Sequence, residues 1–91
     1  MARHGPEAAT IEVELCGKLA ELHGRLLALS VPGEGCTAGI VLARAAEAVD
    51  GLAPMVAEGR VRVCINEVVV SDGAAVGPGD RVALFPPVSG G

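Results

Sequence analysis

From Ile11 the chain alternates, with Ile11, Val13 and Leu15 set against Glu12, Glu14 and Cys16. A period of two is the mark of a strand with one buried face. Residues 17–24 read as a connection and residues 25–31 as a second strand, stopped by Pro32-Gly33-Glu34-Gly35. So short a link between neighbouring strands implies an antiparallel pair. The period then changes. Ala38, Val41, Leu42, Ala45 and Val49 fall on one helical stripe, Thr37 stands where an N-cap belongs, and Gly51 supplies the stop, so a helix is predicted from Thr37 to about Asp50.

Residues 52–58 contain Pro54 and read as a single turn. Alternation resumes over residues 61–66, where Val61, Val63 and Ile65 oppose Arg62, Cys64 and Asn66. Residues 67–70 make a brief further strand, Ser71-Asp72-Gly73 a turn, and Gly77-Pro78-Gly79-Asp80 a sharper turn into a last strand over residues 81–85. The pattern divides the chain into a lead-in over residues 1–10, a folded body over 11–86 and an extended tail over 87–91. The body is α+β: a mixed sheet of four to five strands with one main helix on one face.

One helix leaves the other sheet face uncovered, so strand parity becomes informative. The helix side would hold Ile11, Val13, Leu15, Leu27, Leu29, Val61, Val63, Ile65, Val82 and Leu84. The opposite side holds Cys16, Leu26, Ala28, Cys64, Ala83 and Phe85 among charged residues. That is more apolar than open water favours, and it marks the face as a docking surface for a partner protein.

Composition narrows the partners. Of 91 residues, 51% are hydrophobic and 20% charged, as in an ordinary folded domain. A net charge of −4 has the wrong sign for gripping a phosphate backbone, and one Phe with no Tyr or Trp offers no platform for stacking bases, so nucleic acid is not an expected partner. No apolar run approaches the roughly 20 residues that cross a bilayer, and the opening residues lack the apolar core of a signal peptide, so no membrane association is expected and the cytoplasm is the expected location.

Candidate chemistry inside the body is sparse. Cys16, Cys36 and Cys64 are odd in number and never CxxC, which suits packed thiols better than a disulfide framework or a zinc site. His4 falls in the lead-in and His23 in a turn, with no cluster at metal-ligand spacing, so no metal is expected. Glu12 and Glu14 share one side of the first strand without a His beside them and read as a solvated face. Phosphate-cradling and nucleophile-elbow motifs are absent, so the chain does not read as an enzyme.

The tail is different. In Phe85-Pro86-Pro87-Val88-Ser89-Gly90-Gly91 two prolines deny the ladder its donors and hold the chain extended, and two glycines leave the final carboxylate without side chains around it. Such a terminus can thread a narrow channel into another protein's active site.

With this tail, and with Leu15-Cys16-Gly17-Lys18-Leu19-Ala20-Glu21-Leu22-His23-Gly24, Val63-Cys64-Ile65-Asn66-Glu67 and Gly79-Asp80-Arg81-Val82-Ala83-Leu84 behind it, the sequence resembles the MoaD/ThiS family of sulfur carriers, and within it the MoaD-type small subunit of molybdopterin synthase. The resemblance implies a ubiquitin-like β-grasp fold. It also implies a carrier that is not itself a catalyst. A MoeB-type, E1-like enzyme uses ATP to adenylate the carboxylate of Gly91, which becomes a thiocarboxylate. The tail, Pro87, Val88, Ser89, Gly90 and Gly91, then enters a MoaE-type large subunit and donates sulfur to cyclic pyranopterin monophosphate, building the molybdopterin dithiolene. Phe85 and Pro86 match the partner-binding position before the tail. The chain would bind no cofactor of its own, since ATP belongs to the activating enzyme. Cys16 stands where the family commonly carries an aromatic residue. Three other readings stay open: a ThiS-type carrier for thiamine or another sulfur pathway, a ubiquitin-like protein modifier, and a β-grasp interaction module that is never activated.

Overall fold

The computed structural model describes residues 8–33, 35–77 and 79–86. Its first strand, β1 (Ala8–Leu15), begins ahead of the alternation at Ile11, because Ala8, Ala9 and Thr10 pair with Pro32, Val31 and Ser30. Its partner β2 (Leu26–Pro32) is antiparallel, as the short link requires. That link is itself helical, a 3₁₀ turn over Gly17–Leu19 followed by α1 (Ala20–His23). His23 therefore ends a short helix. Leu19 gives the turn its reason to form, since its side chain is buried in the core.

The chain next makes β3 (Cys36–Thr37) and α2 (Ala38–Ala48). Thr37 caps the helix as its sequence position predicts, its Oγ1 accepting from the N–H of Ile40 at 3.3 Å. The two preceding donors are also satisfied: Ala38 N–H reaches Ala74 O at 2.9 Å, and Gly39 N–H reaches Asp72 O at 2.8 Å. Gly39 has to be small there, because a Cβ would stand 3.3 Å from that same Asp72 oxygen. Ala38, Val41, Leu42, Ala45 and Val49, the predicted stripe, are all buried. After Gly51, at φ 91°, α3 (Ala53–Ala57) supplies the short turn, with Pro54 in its first turn where a missing N–H costs nothing.

The second half is β4 (Arg62–Ile65), β5 (Val68–Val70), β6 (Ala75–Val76) and β7 (Val82–Phe85). β4 and β5 form a hairpin whose two loop residues, Asn66 and Glu67, have φ of 52° and 73°, the left-handed pair that a two-residue turn of this twist demands. β3 and β6 pair with each other in a small second sheet that the sequence pattern does not announce.

The main sheet has five strands in the order β2-β1-β7-β4-β5. β7 lies in its centre, parallel to β1 and antiparallel to β4. Helix α2 covers one face. Val13, Leu15, Leu27, Leu29, Val61, Val63, Ile65, Val82 and Leu84 are buried beneath it together with Leu52, and Ile11 is half-buried against the same cluster.

Candidate functional site

The site begins where the central strand runs out. Pro86 follows Phe85 and has no N–H to offer, so the ladder stops there. The loop after β1 clasps this end of β7. Cys16 N–H donates to Leu84 O at 3.0 Å, and Gly17, held at φ 57°, stands near the proline ring: a Cβ built on Gly17 would lie 3.4 Å from Pro86 Cγ, an ordinary contact distance. The tail is thus rooted in the middle of the sheet with Gly17 at its side. Of the residues expected to act, Phe85 and Pro86 stand here, exposed and half-buried respectively. Pro87, Val88, Ser89, Gly90 and Gly91 lie outside the described residues, as does His4.

Beside the root the uncovered face of the sheet opens. The register aligns Leu26, Glu14, Ala83, Cys64 and Val69 in one row across all five strands, and in the next row Phe85 sits opposite Arg62. Leu26 is 51% exposed, Val69 56% and Phe85 38%, while Cys64 is buried among them. A shallow depression between Glu14, Cys64, Ala83 and Phe85 is rimmed by Arg81 and Glu67. Parity placed Leu26, Ala28, Ala83 and Phe85 on this face correctly. It missed Val69, because Val68-Val69-Val70 is apolar at every position and carries no alternation to read.

The electrostatics give the face a charged rim. Glu12, Glu14 and Arg62 are exposed on it. All three cysteines are free thiols, Cys36 and Cys64 buried and Cys16 half-buried. Burial pushes the Cys16 thiol up, and the Glu14 carboxylate and the Cys64 thiol push in the same direction, which is the opposite of what an activated nucleophile needs. Burial likewise raises Cys36, against lesser opposing contributions from a backbone hydrogen bond at Thr37 and from Arg44. Among the described residues no group of three or more His, Cys, Asp and Glu could hold a metal ion, and no helix is long and apolar enough to cross a membrane.

A polar node holds the approach to β7 in place. Asn66 Nδ2 donates to Asp80 Oδ1 at 3.0 Å, Asn66 Oδ1 accepts from Arg81 N–H at 3.0 Å, and Asp80 Oδ2 accepts from Gly77 N–H at 2.7 Å. The Gly77 N–H and then the Asn66 amide hold the Asp80 carboxyl below its ordinary range. This node ties the β4–β5 hairpin to the entry of β7, and so fixes the strand from which the tail departs.

A mixed five-stranded sheet folded over one principal helix, with its last strand central and parallel to its first, is the ubiquitin-like β-grasp fold. The ThiS family matches residues 13–91, and the chain belongs to that family, the MoaD/ThiS-like carriers of ubiquitin fold. Among solved structures it is similar to SAMP1 from Haloferax volcanii, with 33% identity, 91% of this chain and 100% of that chain covered, and a TM-score of 0.76. The HVO 2177 protein of Haloferax volcanii is similar at 25% identity over 100% of this chain and 94% of that one, also with a TM-score of 0.76. The small archaeal modifier protein 1 of Methanosarcina acetivorans shares the fold at 21% identity and a TM-score of 0.61, over 92% of this chain and 98% of that one. No curated protein matches.

Proposed function

We propose that this chain is the sulfur-carrier small subunit of a molybdopterin synthase, working through the carboxylate of Gly91. The supporting observation is the root of the tail: Phe85 exposed on the uncovered face, and Pro86 near Gly17 at the end of the central strand. A rigid body with an apolar anchor beside a slim terminus suits a protein that docks on its partners and inserts its end into them.

The chemistry belongs to those partners. A carboxylate is a poor electrophile. In a MoeB-type, E1-like enzyme a carboxylate oxygen of Gly91 attacks the α-phosphorus of ATP, pyrophosphate leaves, and the acyl-adenylate then carries a good leaving group. Sulfur at the sulfide level attacks the acyl carbon, the bond from that carbon to the AMP oxygen breaks, AMP departs with the electron pair, and a thiocarboxylate results. Docked on a MoaE-type large subunit, the tail of residues 87–91 carries this sulfur to cyclic pyranopterin monophosphate. ATP is the activating enzyme's substrate, the carrier holds no cofactor, and the reaction sequence runs in the cytoplasm.

A second reading shares the first step. The likeness to SAMP1 over that protein's whole length favours a ubiquitin-like modifier, in which the activated Gly91 acylates lysines on target proteins. Intact-mass measurement after incubation with ATP, the cognate activating enzyme and a sulfur donor separates the two. A carrier gains the mass difference of one sulfur for one oxygen on its C-terminal peptide, a change absent when Gly91 is deleted, and then supports dithiolene formation with the large subunit. Ladders of conjugates on other proteins without that gain would replace the carrier reading with the modifier. No change with an enzyme competent on another carrier would leave a binding module.

A further inference from the structure

Of the 7 lysines and arginines in the sequence all but one are arginines, and the exception is Lys18. A guanidinium stays protonated at any physiological pH, whereas a lysine amine can lose its proton and act as a nucleophile. Side-chain amine acylation of this chain therefore has a single address.

The structure puts that address in a particular place. Lys18 is exposed in the 3₁₀ turn, between Leu19, whose side chain is buried in the core, and Gly17, which stands near Pro86. The turn is tethered to the end of β7 by the Cys16-to-Leu84 hydrogen bond. Among the described residues the Lys18 ammonium is in neither ion pair, the cations there being Arg60 and Arg81. An exposed lysine outside both of those ion pairs thus adjoins Gly17, the residue nearest the root of the tail.

We propose that Lys18 is an acylation site at which a second copy of this chain is joined through its Gly91, and that the attachment shuts off the acceptor copy as a carrier. This rests on the reading of Gly91 as the activated carboxylate. The deprotonated Nζ attacks the acyl carbon of the donor's adenylate, the bond from that carbon to the AMP oxygen breaks, AMP leaves with the electron pair, and the nitrogen loses its extra proton to solvent. Nothing is oxidised or reduced. The donor is a second copy because two successive prolines, Pro86 and Pro87, disfavour the chain reversal that would return Gly91 to Lys18 of its own chain. Once joined, the acceptor holds a whole domain beside Gly17 and Pro86, where an activating enzyme or an acceptor subunit has to approach.

The test uses the full chain, ATP and the cognate activating enzyme without a sulfur donor, followed by intact mass and tryptic mapping, with Lys18→Arg and Gly91-deleted chains alongside. The expected product has the mass of two chains less one water. Its branched peptide joins residues 4–25 to residues 82–91 through Lys18, and both variants fail to form it as acceptor and donor respectively. The isolated conjugate, supplied with a sulfur donor, should form no thiocarboxylate on the acceptor's tail, whereas Lys18→Arg should form it as the wild type does. Pyrophosphate release without a conjugate overturns the proposal, as do a link that persists in Lys18→Arg, a single chain lighter by one water, and a conjugate whose acceptor tail is still charged with sulfur. Absence of pyrophosphate release overturns the activation reading, and the proposal falls with it.

Discussion

Leu84 and Phe85 are neighbours in one strand and should fail in different ways. Leu84 is fully buried under α2, and truncating it to Ala opens a cavity costing about 2–5 kcal/mol. That is a large share of the roughly 5–15 kcal/mol that holds a small domain together, so Leu84→Ala should show a much lower denaturation midpoint. Phe85 is 38% exposed on the other face, so Phe85→Ala should keep the midpoint near the wild-type value. It should instead weaken binding to the proposed large subunit by about 2 kcal/mol, as loss of an aromatic anchor does. Calorimetric titration against that subunit checks this, and an unchanged dissociation constant would refute the role of Phe85. The opposite fates of these two side chains were legible from alternation. The nearness of Gly17 to Pro86 was not, because it joins residues from opposite ends of the chain and no local pattern records it.

Elements with a strong internal period matched their expected positions closely: the strands around Val13, Leu27, Val63 and Leu84, and the helix beginning after Thr37. What escaped was short or tertiary in origin. β3 and β6 are two residues each and exist only because they pair with one another, so neither sequence window announces them. The β4–β5 turn carries a testable cost. Glu67 adopts φ 73°, where a Cβ is disfavoured and the usual second residue of such a turn is Gly. Its ion pair with Arg81, 3.1 Å long, is well exposed at both partners and contributes little. Glu67→Gly should therefore raise stability by about 0.5 kcal/mol, the relief of left-handed strain exceeding the added freedom of the unfolded chain. A lower urea midpoint for this variant would mean that the ion pair outweighs the strain.

Across the whole molecule, acid should act through the node at the entry of β7. The folded state holds the Asp80 carboxyl below its unfolded value, so the carboxylate's contribution is complete above about pH 4 and is lost as pH falls through the depressed folded value. Melting temperatures between pH 6 and pH 2 should drop more steeply for the wild type than for Asp80→Asn, whose amide does not titrate. Equal slopes would show that the Gly77 and Asn66 bonds to Asp80 do not couple folding to protonation.

The strand order has one more consequence. β7 separates the β2–β1 hairpin from the β4–β5 hairpin, which share no sheet hydrogen bonds with each other. Removing it would leave two hairpins, each too small to persist alone as a sheet. A chain severed between Gly79 and Val82 would thus be a split protein whose shorter fragment carries both the keystone strand and the tail. Reassembly of the two fragments would report, through the folding of the larger one, that a tail is present to be charged.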